Sequence, residues 1–364
     1  MPSACLCVVY SKQTHEQKFF AGHRAEVSAI SVSPDGRLVA SGERSARPMV
    51  RVWDAVTCQE LAVLGPFHRQ GISCIAWAAD GKSVATVGKD IEHSVAVWTT
   101  PSGGWNDARK AAYSPGDPQA VYFCSFLDQR FWGPGQVQPQ LLAENAPKHP
   151  GYLFATGGID HVKFWSLEGR TLTAERGLWG GQGKVQPILC GAACGPRLIT
   201  GGASGHMYVW RGRRCDRMVR AHEAAVTAVW ACATAIVSAS KDGFVKLFNE
   251  KLEHLRAYGI HEASVPPVLP NIKSVCGGLD KAGKHVVKLL VTTESSECYE
   301  LAKDSGSWTL LAEGHFSKAQ DGANGEVWAL AAHPTKPDIF ATAGDDCTVR
   351  VWSISQGRLL RKAK

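Results

Sequence analysis

The sequence Val-Arg-Val-Trp occurs at residues 50–53 and again at residues 349–352, and four variants of it lie between the two copies. Each copy is a short apolar stretch that ends in an aromatic residue. The variants are Val-Ala-Val-Trp (95–98), Val-Lys-Phe-Trp (162–165), Met-Tyr-Val-Trp (207–210) and Val-Lys-Leu-Phe (245–248). The aromatic residues recur about every 40 residues, a period typical of a β-propeller. One such unit cannot bury its own apolar face, so neighbouring units must stack.

The chain divides into seven repeats of strand-like segments. They run over residues 22–54, 68–98, 121–165, 185–210, 222–248, 272–301 and 315–352, and the sixth lacks the terminal aromatic residue. Propeller blades are four-stranded and antiparallel, and turn signals such as Pro34-Asp35-Gly36 fall between the strand-like runs. We therefore predict an all-β fold in which residues 1–364 form one closed seven-bladed propeller.

Three segments fall outside the regular pattern of the repeats. Residues 4–10 are strand-like but precede the first repeat, and we predict that they pair with the blade ending at Trp352 and close the ring, since closure removes an exposed sheet edge. Residues 129–150 are predicted to be a loop inserted between two strands of the third blade. Residues 358–364 are predicted to be an exit segment that begins a further strand. Long loops often carry binding residues, but they can equally be tolerated surface insertions.

The composition of the 364-residue chain is that of a globular protein, with 45% hydrophobic residues and a formal net charge of +7. This moderate charge suits an acidic partner but is far from that of a nucleic-acid-binding tail. No apolar run approaches the roughly 18 residues that span a bilayer, and the N-terminus has no basic region typical of a signal peptide. The 12 cysteines lack zinc-site spacing, so we expect free thiols in a reducing compartment.

A polar set recurs in several repeats. It combines a His before the first strand, a Ser or Thr in the second strand, an Asp in the following turn and an aromatic residue that ends the third strand. The members are His23, Ser41 and Trp53; His68, Thr86, Asp90 and Trp98; His222, Ser238, Asp242 and Phe248; and His315, Thr342, Asp346 and Trp352. A catalytic triad also combines Asp, His and Ser, but an active site is made once, whereas this set recurs. We interpret it as a buried structural network, because a buried carboxylate needs hydrogen-bond donors.

The set resembles the Asp-His-Ser/Thr-Trp tetrad of WD40 repeat proteins, which ties inner strands to the loop before them. The first repeat has no evident Asp, and Phe248 lacks the indole N–H, so partial networks are expected there. No metal-ligand spacing, Gly-rich phosphate loop or unique nucleophile is found. We therefore expect a non-enzymatic WD40 propeller with no cofactor, no metal and no small-molecule substrate, and no membrane or nucleic-acid partner.

Two longer stretches narrow the resemblance. Phe-Trp-Ser-Leu-Glu-Gly at 164–169 and Trp-Ala-Leu-Ala-Ala-His-Pro at 328–334 resemble the first propeller of the echinoderm microtubule-associated protein-like family. The resemblance covers about Val8 to Leu360. Members of that family also carry a hydrophobic motif, a second propeller and often a coiled coil, none of which is recognised in this sequence. The chain is therefore either a fragment of such a protein or a single-propeller relative.

The resemblance implies a microtubule-associated scaffold protein of the cytoplasm and cytoskeleton that binds tubulin and other microtubule-bound proteins. A ciliary or flagellar axoneme is one setting that the sequence does not require. Tubulin surfaces are acidic, so the candidate contacts are basic residues in three clusters: Arg44 and Arg47; Arg211, Arg213 and Arg214; and Arg358, Arg361, Lys362 and Lys364. Each cluster can equally be a solvated basic loop. The alternative function is a generic WD40 adaptor for protein–protein interactions.

Overall fold

The structure is built almost entirely of β-strands. A computed structural model describes residues 2–3, 5–14, 16–127, 153–280, 282–319, 322–324, 327–356 and 358–363. The helical pieces in these ranges are three 3₁₀ turns at Trp105–Asp107, Gly180–Gln182 and Ile260–Glu262. Within the same ranges, no helix has the length and apolar character needed to cross a membrane. The predicted loop insertion at 129–150 lies outside the described residues.

Seven sheets of the described ranges have four antiparallel strands each, and in every sheet the strands lie side by side in chain order. We number these sheets I to VII from the N-terminus. Sheet I comprises Val27–Val32, Leu38–Glu43, Val50–Asp54 and Glu60–Leu64; sheet II, Ile72–Trp77, Ser83–Gly88, Val95–Thr99 and Arg109–Ser114; sheet III, Val121–Phe126, Phe154–Gly158, His161–Glu168 and Thr171–Arg176. Sheet IV comprises Ile188–Cys194, Arg197–Gly202, His206–Arg211 and Arg214–Arg220; sheet V, Val226–Ala231, Ile236–Ser240, Phe244–Phe248 and His254–Gly259. Sheet VI comprises Ile272–Leu279, Val286–Thr293, Glu297–Ala302 and Trp308–Glu313; sheet VII, Val327–Ala332, Ile339–Gly344, Val349–Ser353 and Arg358–Ala363.

Sheets I to VI stack face to face in sequence order. Their first strands contact one another from each sheet to the next, and we call these the inner strands. Five apolar clusters fill the interfaces I–II, II–III, III–IV, IV–V and V–VI. The repeated aromatic residues Trp98, Trp165, Trp210 and Phe248 pack into four of these interfaces, whereas Trp53 packs against the N-terminal segment. Trp165 and Trp210 are fully buried. An aromatic side chain buries about 150–250 Å², so this stacking gives each repeat the core that it cannot build alone.

The N-terminal segment forms a separate three-stranded sheet. Leu6–Tyr10 pairs with Gln17–Phe20 on one side and with Pro2–Ser3 on the other. Phe20 stacks on Trp53 of sheet I with ring centroids 4.7 Å apart. In the turn between the two longer strands, Lys12 Nζ lies 2.6 Å from Glu300 Oε1 in sheet VI. This small sheet therefore contacts both the first and the sixth of the stacked sheets.

The predicted pairing of residues 4–10 with the sheet that contains Trp352 is wrong. The fourth strand of sheet VII is Arg358–Ala363, which places Leu359 opposite Trp352. The segment 358–364 was predicted as an exit, but in the described residues it completes sheet VII. Both strands pair with a neighbour only a few residues away in the chain, and short loops have a low closure entropy. Local hairpins therefore prevail over the long-range closure.

Sheet VII is more exposed than the other six. All six residues of its inner strand Val327–Ala332 are exposed, with Trp328 at 73% and Leu330 at 74%. By contrast, Ile72 and Ile188, the first residues of the inner strands of sheets II and IV, are fully buried. Sheet VII therefore lacks, within the described residues, the apolar cover that each of the stacked sheets has.

Hydrogen exchange should separate sheet VII from the stacked sheets. We expect amides in Val327–Ala332 to exchange faster than those in the matched inner strand Ile72–Trp77, because strands with few buried apolar contacts open at lower free energy. Mass spectrometry of peptides from the two strands measures this. Equal protection of both strands would mean that the inner strand of sheet VII is covered in solution.

Candidate functional site

The polar set of sheet VII forms a continuous hydrogen-bonded chain. Trp352 Nε1 donates to Thr342 Oγ1 at 2.7 Å, and this hydroxyl lies 2.8 Å from His315 Nε2. His315 Nδ1 lies 2.9 Å from Asp346 Oδ1. Since a carboxylate can only accept, Nδ1 carries a proton. This hydrogen-bonded network links the loop before the inner strand to the second and third strands, so its role is structural.

A buried arginine reinforces Asp346. Arg350 Nη2 donates to Asp346 Oδ2 at 2.8 Å, and Thr348 Oγ1 donates to Asp346 Oδ1 at 2.8 Å. Burial opposes ionisation of this carboxyl, but the hydrogen bonds from His315, Thr348 and Arg350 outweigh it and hold the pKa of Asp346 well below its usual range. The residue is therefore a charged centre of the sheet.

Sheet V repeats the arrangement without its last member. His222 Nε2 lies 2.7 Å from Ser238 Oγ, and His222 Nδ1 lies 2.9 Å from Asp242 Oδ2. Phe248 occupies the position of the tryptophan and is buried, but its ring has no N–H to donate. This network consequently ends at the serine.

Sheet I uses a glutamate in place of the missing aspartate. His23 Nε2 lies 2.6 Å from Ser41 Oγ, and Trp53 Nε1 donates to the same hydroxyl at 3.0 Å. His23 Nδ1 lies 3.0 Å from Glu43 Oε2, which also accepts from the backbone N–H of Arg24. Sequence reasoning missed Glu43 because it ends the second strand rather than lying in the turn. A buried His with a nearby carboxylate two residues after the Ser was the available signal.

Sheet II inserts a serine into the network. His68 Nε2 lies 2.7 Å from Thr86 Oγ1, to which Trp98 Nε1 donates at 2.9 Å. On the other side, His68 Nδ1 lies 2.8 Å from Ser94 Oγ, which donates to Asp90 Oδ2 at 2.6 Å. The histidine and the aspartate are 4.0 Å apart. The turn of this sheet is longer by two residues, and Ser94 bridges the extra distance.

The burial of His68 predicts an acid-sensitive contribution to stability. Burial lowers the pKa of this imidazole from 6.5 to about 4. Between these two values the unfolded chain takes up a proton that the folded chain excludes, so this stability is complete above pH 6.5 and is lost progressively as the pH falls to 4. The shift corresponds to about 3.4 kcal/mol of stability at pH values above 6.5.

Denaturant melts between pH 7.5 and pH 5 provide the measurement. We expect the free energy of unfolding of the wild type to fall over this range and His68→Gln to show a flatter profile. His285→Gln, which changes an exposed histidine, should keep the wild-type profile. Identical profiles for wild type and His68→Gln would contradict the buried neutral imidazole.

Sheet III has an ionic cluster in place of a tetrad. Asp117, in the loop before the inner strand, is 1% exposed and lies 3.1 Å from both Lys163 Nζ and Arg176 Nη2. Burial opposes its ionisation, but the backbone N–H of Gln119 and the Lys163 ammonium outweigh burial, so the pKa of Asp117 is lowered. His161 is also buried, with Nδ1 3.7 Å from Asp117 Oδ1. The sequence analysis did not single out any of these residues.

The tryptophans that end the third strands of sheets III and IV keep one part of the pattern, the hydrogen bond from the indole N–H to a threonine hydroxyl. Trp165 Nε1 donates to Thr156 Oγ1 at 2.9 Å in sheet III, and Trp210 Nε1 donates to Thr200 Oγ1 at 3.0 Å in sheet IV. In sheet IV the buried Gln186 occupies the loop before the inner strand, where its amide donates to the hydroxyl of Tyr208. These variant networks hydrogen-bond most of their buried polar groups, whereas His161 Nε2 in sheet III has no hydrogen-bond partner within the described residues. In the described part of the chain, no group of three or more His, Cys, Asp or Glu side chains could hold a metal.

The predicted basic clusters lie in separate places. Arg44 and Arg47 are exposed where the second strand of sheet I ends, and Arg44 Nη1 is 4.0 Å from Glu26 Oε2. On the outer strand of sheet VII, Arg361 is exposed and Lys362 Nζ lies 3.3 Å from Glu313 Oε2. The side chain of Arg358 and the whole of Lys364 lie outside the described residues.

The arginine cluster of sheet IV is larger than predicted. Arg211, Arg213 and Arg214 surround the hairpin between the third and fourth strands, and Arg197 lies opposite Arg211 in the strand register. Arg211 Nε is 3.2 Å from Asp216 Oδ2, and Arg213 is 3.8 Å from a glutamate of sheet III. The antiparallel register of the second and third strands, which places Arg197 opposite Arg211, is the signal that would have predicted Arg197. Exposed ion pairs of this kind contribute little to stability, so the arginines can exchange these partners for others.

The recurrence of the repeat matches a known family model. The WD domain, G-beta repeat model (WD40) matches residues 14–54, 59–99, 213–249 and 313–353. This chain contains WD40 repeats. The first match covers Gln17–Phe20 and the first three strands of sheet I, and the fourth covers the first three strands of sheet VII. The second and third matches each cover the outer strand of one sheet, I or IV, and the first three strands of the next, II or V. The matched family is a repeat family, and no catalytic family is indicated.

Longer similarity extends over nearly the whole chain. It is 28% identical to echinoderm microtubule-associated protein-like 2 of Mus musculus and 27% identical to echinoderm microtubule-associated protein-like 1 of Homo sapiens, over 96% of this chain in each case. It is 24% identical to the 77 kDa echinoderm microtubule-associated protein of Lytechinus variegatus over 97% of this chain. The chain spans half or less of these relatives, which it covers to 50%, 39% and 48% respectively. The WD40 chain is thus homologous to echinoderm microtubule-associated protein-like proteins.

Proposed function

We propose that this WD40 chain is a microtubule-associated scaffold protein that binds tubulin through the surface of its stacked sheets. The observation that carries the proposal is similarity to echinoderm microtubule-associated protein-like proteins over 96% of the chain. The proposed location is the cytoplasmic microtubule cytoskeleton, and an axonemal location is an expectation that localisation in ciliated cells would test. Other microtubule-bound proteins are proposed as further partners.

The proposed contact surface is the arginine cluster of sheet IV, defined by Arg197, Arg211, Arg213 and Arg214. Four guanidinium groups at one end of one sheet favour an acidic partner, and charge complementarity raises the encounter rate in a salt-dependent manner. The ion pairs of Arg211 and Arg213 are exposed and can be replaced by carboxylates of a partner. We propose Arg44, Arg47, Arg361 and Lys362 as weaker, peripheral contacts because they lie at other sheet ends.

Charge reversal in this cluster tests the proposed surface. We expect Arg211→Glu, Arg213→Glu and Arg214→Glu together to reduce pelleting with microtubules at low salt while leaving the melting curve unchanged. The matched control reverses three exposed cations elsewhere, Arg170, Lys273 and Lys284. It changes the net charge equally, so it should retain pelleting close to that of the wild type. If both triple variants lose pelleting to the same degree, overall charge rather than this cluster governs binding.

We further propose that the stacked sheets form a closed seven-membered ring in which the N-terminal sheet occupies the seventh position. Its support is the contact of this small sheet with sheet I through Phe20 and with sheet VI through Lys12. Cross-linking of Lys12 to Glu300 by a zero-length carbodiimide reagent should form an amide within the chain. If the folded protein does not form this cross-link, the proposed closure of the ring between the N-terminal sheet and sheet VI is wrong.

A further inference from the structure

The outer strand of sheet IV, Arg214–Arg220, leaves one edge open to a further strand. It is the last strand of its sheet, and within the described ranges only Leu178 pairs with this edge, through a parallel bridge to Arg214. The backbone N–H of Leu178 donates to the Arg213 carbonyl at 2.7 Å, and the backbone N–H of Cys215 donates to the Leu178 carbonyl at 2.9 Å. One residue therefore already pairs with this edge as an added strand would.

The remainder of the edge is regular and exposed. Beyond a bulge at Asp216, residues 217–220 pair one by one with residues 206–209 on their inner side. Arg217, Met218 and Arg220 are exposed. An open strand edge of this kind is a template for pairing with another chain. At ~3.3 Å per residue, the stretch matches an extended segment of about four residues.

Arginines dominate the charge around this edge. Two on the strand join the arginine cluster of sheet IV, and the six are Arg197, Arg211, Arg213, Arg214, Arg217 and Arg220. Among the described residues, three carboxylates pair with them: Asp216, Glu175 and Glu223. The turn of sheet V that Arg217 contacts adds one lysine and two glutamates, Lys251, Glu250 and Glu253. Seven cations thus face five carboxylates, and the balance favours an acidic occupant.

The existing ion pairs can give way to such an occupant. In the pair of Arg220 and Glu223, the side chains are 63% and 79% exposed. Exposed pairs of this kind contribute little to stability. Arg217 has no ion-pair partner in the described part of the chain, and its Nη1 donates to the Lys251 carbonyl at 2.8 Å. The carboxylates of a partner can therefore approach both arginines without breaking the fold.

The charge of the edge also makes the pairing selective. Like charges opposite each other on neighbouring strands destabilise the pairing, whereas opposite charges stabilise it. Two copies of this edge therefore repel one another, but an acidic strand is attracted. The outer strands of sheets I and VI differ, because their one charged residue is a glutamate, Glu60 and Glu313 respectively.

We propose that an extended acidic segment of the protein partner adds to sheet IV as a further strand along residues 217–220. Its backbone pairs with the open edge next to the position of Leu178, and its carboxylates lie against Arg217, Arg220 and the arginine cluster. Backbone hydrogen bonds give affinity, and the arginines select an acidic sequence. This proposal rests on the proposed function, because it specifies how the surface of sheet IV engages an acidic partner.

Fluorescence anisotropy with the full chain tests the backbone pairing. The probe is fluorescein-labelled Glu-Val-Glu-Val-Glu-Val, compared with the same peptide methylated at every backbone nitrogen and with Lys-Val-Lys-Val-Lys-Val. Methylation removes the N–H donors but keeps the charge, so we expect the methylated peptide to bind about 10-fold more weakly. The lysine peptide should not bind, and about 0.5 M salt should weaken binding of the acidic peptide several-fold.

Hydrogen exchange locates the added strand. The acidic peptide should slow amide exchange in Arg214–Arg220, because added hydrogen bonds protect an open edge. Exchange in the matched outer strand of sheet V, His254–Gly259, should stay unchanged.

Paired charge variants test the contribution of the arginines. Arg217→Glu with Arg220→Glu should weaken binding of the acidic peptide several-fold at low salt. The control, Arg170→Glu with Lys273→Glu, changes the net charge equally at exposed positions elsewhere and should bind like the wild type. Melting curves of both establish that the fold is intact.

Four results would each overturn strand addition: no binding of the acidic peptide, equal binding of its methylated form, unchanged exchange in Arg214–Arg220, or wild-type binding by the folded variant of Arg217 and Arg220. None of them decides the proposed function. That depends on microtubule pelleting by the wild type and by the triple variant of Arg211, Arg213 and Arg214.

Discussion

Asp117→Ala is expected to lower the free energy of unfolding by about 3–5 kcal/mol, the largest effect of any single change considered for this chain. Asp117 is 1% exposed and is the carboxylate that faces both Lys163 and Arg176. The side chain of Lys163 is 14% exposed, so its ammonium would remain largely buried without a counter-charge. Breaking a buried ion pair by removing one partner costs more than the pair itself contributes.

Denaturant melts of Asp117→Ala and of Asp160→Asn provide the measurement and its control. Asp160 lies in the turn of the same sheet and is exposed, at a φ of +56°. Asparagine tolerates this conformation, so the control should stay within about 0.5 kcal/mol of the wild type. A loss for Asp117→Ala no larger than that of the control would show that the cluster contributes nothing to stability.

Asp346→Ala should destabilise sheet VII by about 2–4 kcal/mol. The aspartate accepts hydrogen bonds from His315, Thr348 and Arg350, and the arginine is 2% exposed. Removing the carboxylate leaves Arg350 its hydrogen bonds to Thr348 Oγ1 and the Glu313 carbonyl, but the carboxylate that remains beside it is the more distant one of Glu313, 3.7 Å away. Because sheet VII is the most exposed sheet, we expect Asp346→Ala to lower the free energy of local opening of sheet VII more than that of the other sheets.

Hydrogen exchange of the Val349–Ser353 strand measures this local effect, and a denaturant melt measures the global one. Asp304→Ala, which changes an exposed aspartate in sheet VI, is the control and should alter neither. Protection of Val349–Ser353 that is unchanged by Asp346→Ala would contradict the assigned role of this carboxylate.

The sequence was sufficient to predict the strands and their grouping, because both depend on local signals. The period of about 40 residues and the terminal aromatic residue of six of the seven repeats locate third strands such as Val50–Asp54. The N-terminal pairing was mispredicted because a closing strand was assumed to need a distant partner. A hairpin from Leu6–Tyr10 to Gln17–Phe20 satisfies the same backbone groups at lower loop entropy.

The polar networks were predictable only where their spacing within one repeat is regular. His315, Thr342 and Asp346 follow the pattern, and their atoms lie within hydrogen-bond distance. Glu43 was missed because the extra methylene of glutamate lets its carboxylate reach His23 from the end of the second strand, whereas the aspartates of the other networks lie in the following turn. Asp117 was missed because its partners Lys163 and Arg176 lie 46 and 59 residues further along the chain, beyond any local pattern. Ion pairs across a sheet depend on register, which composition and spacing do not supply.

Co-sedimentation of the wild-type chain with intact and with tail-cleaved microtubules tests the central proposal most directly. We predict a weak interaction that pellets the chain at low salt and is lost as salt is raised, since exposed charges are screened. If intact microtubules pellet more chain than tail-cleaved ones, the acidic tails contribute to the contact. If the chain pellets with neither preparation at low salt, direct binding to the microtubule lattice by this chain is wrong, and an adaptor function would replace it.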